Sequence, residues 1–160
     1  GGVSIIHVGG YTETEMREKK DRVDDALHAT KAALEGGIVP GGGAALLYAS
    51  NLLKSDNLGE RIVKEACKKP FVQILVNAGY DKTEAEIWAN KLSENSKYWE
   101  GFNIKTKEII NMEEAGILDP SKVTITALQN AASVAGTILL TECVVVDHPE
   151  QKEMTPSAQY

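Results

Sequence analysis

Residues 3–8 (VSIIHV) are mostly apolar, rich in β-branched types and bounded by glycine pairs, a pattern that predicts a short strand. Beyond Gly10 the period changes. Met16, Val23, Leu27, Thr30 and Leu34 recur at helical spacing and form one narrow stripe. Thr12-Glu13-Thr14-Glu15 in front of them has the form of a capping box. Gly36 and Gly37 stop the helix. It covers roughly 23 residues, hence about 35 Å at 1.5 Å per residue. A helix that long, with a narrow stripe and dense charge in its first half, suits a connecting arm better than a core element.

Ile38, Val39 and Pro40 lead into Gly41-Gly42-Gly43, and residues 44–53 form an apolar pattern that predicts a buried helix. A polar turn over 55–59 follows. Residues 60–69 and 71–78 read as two helices, because Pro70 lacks an N–H and crowds the preceding turn. Asp81 opens a further helix to about Leu92, and 93–99 is turn-like. Residues 100–106 (EGFNIKT) predict a hairpin strand, and 107–114 a short helix or turn ending near Gly116. Asp119-Pro120 pairs a good N-cap with a good first helical residue. The helix after it, to Thr141, is rich in Ala127, Ala131, Ala132, Ser133, Ala135 and Gly136. Small side chains allow close backbone approach, so this is expected to be the central helix. Residues 144–146 form a short β-run and 149–160 a polar tail. The expected fold class is mainly α: a helical bundle with one long connecting helix and a few short strands.

Composition narrows the function classes. Hydrophobic residues make up 42% and charged residues 25%, an ordinary soluble balance. The net charge of -6 argues against a nucleic-acid partner, which needs a basic face. The longest apolar stretch, 131–140, is broken by Ser133, Gly136 and Thr137, too short to span a membrane. Cys67 and Cys143 form no CxxC pair, so a reducing cytoplasm is the expected location. His7, His28 and His148 have no metal-ligand spacing with each other or with the cysteines, and no metal site is expected.

Four places could carry chemistry. Asp24 and Asp25 are adjacent and so face different directions on a helix, whereas Asp21 and Asp25 share a face at i,i+4. Read alone, they are solvated carboxylates. A carboxylate–metal enzyme using Asp21 and Asp25 is a weak rival without His or Cys support. Gly41-Gly42-Gly43 permits close backbone approach and positive φ ahead of a helix start, which favours an anion. No Gly-Lys-Ser/Thr follows, so it is not a Walker A loop. Asp119 is accounted for as a helix cap, and Asn103 as a hairpin-turn residue.

The wording of several segments changes this weighing. VDDALHATKAALEGGIVPGGG (23–43), GILDPSKVT (116–124) and TALQNAASVAGTILLTECVVVDHP (126–149) resemble the group I chaperonins, the GroEL/Hsp60 family. GGVSIIHVGG resembles the last strand leaving that family's apical domain, and residues 12–37 its descending intermediate helix. The resemblance implies that 1–37 is the end of the apical and intermediate regions. It makes 38–148 the C-terminal half of an equatorial ATP-binding domain, and 149–160 a flexible tail. It implies that Asp25 aligns the water attacking the γ-phosphate, that Gly42 contacts the nucleotide, and that Asp119 meets the ribose. Asn103, Ile104 and Lys105 would contact the base, with Ile104 and Lys105 larger than the family's usual alanines. ATP with Mg²⁺ and K⁺ would be the ligands of the full-length parent. The family's GDGTT phosphate loop is not in this sequence, so the isolated chain is expected to lack activity, and whether it binds ATP alone is left open.

Two functions follow. The chain is part of an ATP-driven, ring-forming protein-folding chaperonin that meets unfolded proteins and a co-chaperonin through regions absent here. Alternatively, by itself it is a non-catalytic helical module that self-associates.

Overall fold

The N-terminal capping signal forms as its residues dictate. Thr12 Oγ1 accepts the Glu15 N–H at 3.1 Å, and Glu15 Oε2 accepts the Tyr11 N–H at 2.9 Å. The return bond therefore reaches one residue further back than in the usual capping box. Helix α1 (Glu13–Gly36) follows. Gly37 ends it at a positive φ of +80°, donating its N–H to Ala33 O at 2.8 Å. Ion pairs Glu13–Arg17, Glu15–Lys19 and Glu18–Arg22, each acid first at i,i+4, lace the first half. Lys19, then the Tyr11 N–H, hold the Glu15 carboxyl below its ordinary pKa. No residue of α1 is buried.

The structure, a computed structural model, describes residues 2–54, 56–95 and 97–146. The predicted tail 149–160, His148 and Ser55 lie outside the described residues. After α1 come β1 (Ile38–Pro40), α2 (Ala44–Leu52), α3 (Leu58–Asn77), α4 (Lys82–Asn95), β2 (Glu100–Asn103), β3 (Glu108–Asn111), β4 (Leu118–Pro120) and α5 (Ser121–Leu139). The mainly helical expectation holds. Two compact units divide the chain, Gly1–Ala127 and Leu128–Tyr160. Among the described residues no helix is long and apolar enough to cross a membrane.

The core of the first unit is where α2, α3, α4 and β2 meet. Leu47, Phe71, Leu75, Ala85, Ala89, Leu92 and Phe102 are buried there, with Trp88, Ile104 and Ile109 packed against them. Asn51 and Ser93 clamp α2 to α4: Asn51 Nδ2 donates to Ser93 O at 2.8 Å, and Ser93 Oγ returns a bond to Asn51 Oδ1 at 2.6 Å.

Six local expectations are corrected. Residues 3–8 form no strand, and neither do 144–146; a strand needs a paired backbone, and the described residues offer them none. Pro70 does not break α3. It removes one N–H, but Cys67 and Phe71, four apart and both buried, anchor the helix on either side. Residues 108–111 are strand β3, paired antiparallel with β2 from Glu100↔Asn111 to Asn103↔Glu108. Asp119 and Pro120 are not a helix start but part of β4, paired with β1. Finally, α5 has no buried residue and is not a central helix within this chain.

Candidate functional site

The β1–β4 ladder leads into a tight glycine turn of the first unit. Ile38 pairs with Pro120, Val39 with Asp119 and Pro40 with Leu118. The pairing runs one residue further, because Gly41 donates its N–H to Ile117 O at 3.0 Å. The chain then turns sharply. Gly42 has φ +66° and Gly43 φ +79°, both left-handed, and α2 begins at once.

Each glycine answers to a different neighbour. A Cβ on Gly43 would lie 2.8 Å from the Phe71 backbone, so α3 rests directly on it. A Cβ on Gly41 would lie 3.0 Å from Ile117 O. At Gly42 the nearest atom to such a Cβ is the Met112 methyl carbon, at an ordinary 3.4 Å. Packing therefore fixes Gly41 and Gly43. Gly42 is held at positive φ between them, partly exposed and with the Met112 methyl as its near neighbour.

Asp119 lies on β4 opposite Val39, half-buried, and its carboxylate has no hydrogen bond or ion pair to any described residue. Burial pushes its pKa above the ordinary aspartate value. Its predicted capping role is absent because Pro120, one residue on, is still in the ladder and α5 starts at Ser121. Ser121 is occupied elsewhere: its Oγ donates to Gly36 O and its N–H donates to Gly37 O at 3.1 Å. With the Lys122–Glu35 ion pair, these bonds join the start of α5 to the end of α1.

The β2–β3 turn holds the remaining candidates. Asn103 Oδ1 accepts the Lys105 N–H at 2.9 Å, and Asn103 O accepts the Lys107 N–H at 2.7 Å, with Lys107 at φ +61°. Asn103 thus builds the turn. Ile104 packs on the core and Lys105 is exposed. The β1–β4 ladder carries Asp119 and leads into the Gly42 turn, and Met112 links that turn to the hairpin at Gly101. Asp25 stays apart: it is exposed on α1, about 17 Å along the helix axis from Gly36. No hydrogen bond or ion pair joins it to the other candidates among the described residues. No cluster of three or more His, Cys, Asp or Glu capable of holding a metal occurs among the described residues. The Asp21–Asp25 pair gains no third ligand from the fold.

Two residues that spacing did not single out belong here: Ile117, whose carbonyl and methyl group meet Gly41, and Met112, buried beside Gly42. Both act across the tertiary structure, which a local pattern does not carry.

Comparison with known proteins agrees with this architecture. The TCP-1/cpn60 chaperonin family matches residues 1–149. Among solved structures, the chain is similar to one described as the crystal structure of a group III chaperonin in the open state. The TM-score is 0.72 at 30% identity, over 86% of this chain. The chain spans 30% of the length of that one.

Proposed function

Because the chain belongs to the TCP-1/cpn60 chaperonin family, we propose that it is one part of an ATP-dependent protein-folding machine and supplies one wall of its nucleotide site. The carrying observation is the Gly42 turn at the end of the β1–β4 ladder, the ladder that also carries Asp119, a carboxylate with no partner among the described residues. The residues present fit a nucleotide. Glycine backbone at positive φ before a helix start suits phosphate. A half-buried, partnerless carboxylate suits the hydroxyl donors of a ribose. They do not by themselves fit Mg²⁺ or K⁺, for which the described residues hold no cluster. Those ions therefore belong to the rest of the site, and no role here depends on them.

In this reading Gly42 holds the phosphate end, Asp119 accepts hydrogen bonds from the ribose, and Asn103, Ile104 and Lys105 border the base. Asn103 keeps its amide N–H₂ for that contact, since its oxygen serves the turn. Asp25 orients the attacking water when the α1 arm swings inward. The arm would be residues 1–37 and the nucleotide-binding portion 38–148. The sequences at 23–43 and 116–124 favour a group I member within the family. Partners would be further subunits in a ring, with unfolded proteins and a co-chaperonin held by other regions. Unpaired Cys67 and Cys143 favour a cytoplasmic location.

A titration of the chain with Mg-ATP, followed by phosphate release, tests the reading. Where the wild-type chain releases phosphate, Asp25→Ala is expected to keep ATP affinity and to lower that release by about two orders of magnitude. An Asp25→Ala variant as fast as wild type would remove Asp25 from the mechanism. Absence of binding at millimolar ATP would favour a second reading, a self-associating helical module, which rests on α5 burying none of its residues.

A further inference from the structure

Met112 is only 1% exposed, yet it lies outside the core cluster of Leu47, Phe71, Leu75 and Phe102. Its side chain is buried between two glycines. On one side is Gly101 of β2, where a Cβ would lie 2.6 Å from Met112 Cγ and 2.9 Å from Sδ. On the other is Gly42, with the Met112 methyl in contact range at 3.4 Å. The backbone follows the same line. Met112 donates its N–H to Trp99 O at 2.8 Å, Ile117 donates to Met112 O at 2.9 Å, and Gly41 donates to Ile117 O at 3.0 Å. Three successive hydrogen bonds thus run from the foot of the β2–β3 hairpin to the glycine turn, with one side chain filling the space beneath.

We infer that Met112 is a positioning residue that sets the separation between the glycine turn at Gly42 and the hairpin that ends in Asn103. The inference rests on the nucleotide reading above, in which the turn takes the phosphates and the hairpin borders the base. A ligand that bridges both ends depends on their separation; a ligand that touches one end does not. Methionine suits such a spacer, since its unbranched side chain fills an irregular gap between backbones that have no side chains of their own.

The experiment compares three probes by calorimetry on the full chain: ATP, adenosine and inorganic tripolyphosphate. Met112→Ala is expected to weaken ATP at least tenfold while leaving adenosine and tripolyphosphate within about twofold of wild type. Met112→Leu, close in volume, is expected to restore ATP affinity. If Met112→Ala does not fold, Met112→Val carries the same expectation with a smaller loss. Equal loss of all three probes would mean that Met112 only maintains the fold, and undiminished ATP affinity would mean that it sets no spacing. Either result overturns the inference while the nucleotide site stands. Wild-type chain that binds none of the three probes overturns the nucleotide reading itself, and the inference falls with it.

Discussion

At the scale of single residues, Asp119 is where stability and function pull in opposite directions. Burial strips part of its hydration, and no donor among the described residues replaces it. Its folded-state pKa is therefore raised. The folded state holds the proton more tightly than the unfolded state does, so ionisation costs the folded state. The contribution of this group to stability is largest below the ordinary aspartate range and is lost as pH rises through the raised folded value. Asp119→Asn keeps the size and removes the charge. The variant is expected to melt at a higher temperature than wild type near pH 7 and at about the same temperature near pH 3. A melting difference that does not change with pH would show that the charge carries no cost. In the nucleotide reading the same variant binds ATP more weakly, because a neutral amide oxygen is a poorer acceptor for ribose hydroxyls. The residue was visible in the sequence, but its setting was not. Asp-Pro is also a good helix start, and only pairing with Val39, far away in the chain, makes it a strand.

At the scale of elements, two adjacent glycines separate conformational strain from packing. Gly42 and Gly43 share a positive φ, so an alanine at either costs about 1–2 kcal/mol of backbone strain. Only Gly43 also has a backbone, that of Phe71 in α3, within 2.8 Å of the added carbon. Gly43→Ala must push α3 away from α2 and is expected to lose at least twice the unfolding free energy that Gly42→Ala loses, measured by urea denaturation. Equal losses would mean that α3 yields freely. Elements closed by local signals were legible beforehand: Thr12 capping α1, the glycine pair stopping it, and Asp81, whose carboxylate accepts the Thr83 N–H at 2.8 Å at the start of α4. Elements decided by distant partners were not. Pro70 is carried through α3 because Cys67, Phe71 and Val72 are buried around it. Residues 108–111 become a strand because β2 lies opposite. Gly42 was legible as a candidate because glycine itself is the signal; Met112, which depends on Gly101 and Gly42 for its place, was not.

At the scale of the whole molecule, the distribution of apolar surface indicates what the chain requires. Helix α5 exposes Val123, Ile125, Leu128, Val134 and Ile138, and Val144, Val145 and Val146 follow it uncovered. Such side chains contribute about 1.5–3 kcal/mol each when fully buried, so an uncovered set of them is a strong drive to find cover. The similar group III structure is a much longer chain, of which this one spans 30%. In the chaperonin reading, cover comes from the rest of such a chain. The 160-residue chain by itself should therefore associate through α5. Light scattering after size exclusion is expected to give a mass well above 17.3 kDa at micromolar concentration. Val134→Glu combined with Ile138→Glu should return it to the monomer, since a charge on each of two turns of one helix face opposes burial of that face. The core around Phe71 and Phe102 contains neither residue, so the melting of α2, α3 and α4 should change little. A monomeric wild-type chain would sink the association. A double variant that remains oligomeric would move it to another surface, and residues 3–8, with Val3 and Ile5 exposed and no strand partner, are the next place to look. Association through α5 and a nucleotide site at Gly42 are separate properties. A double variant that is monomeric yet keeps the wild-type ATP affinity would show that the wall of the site forms without α5 being covered.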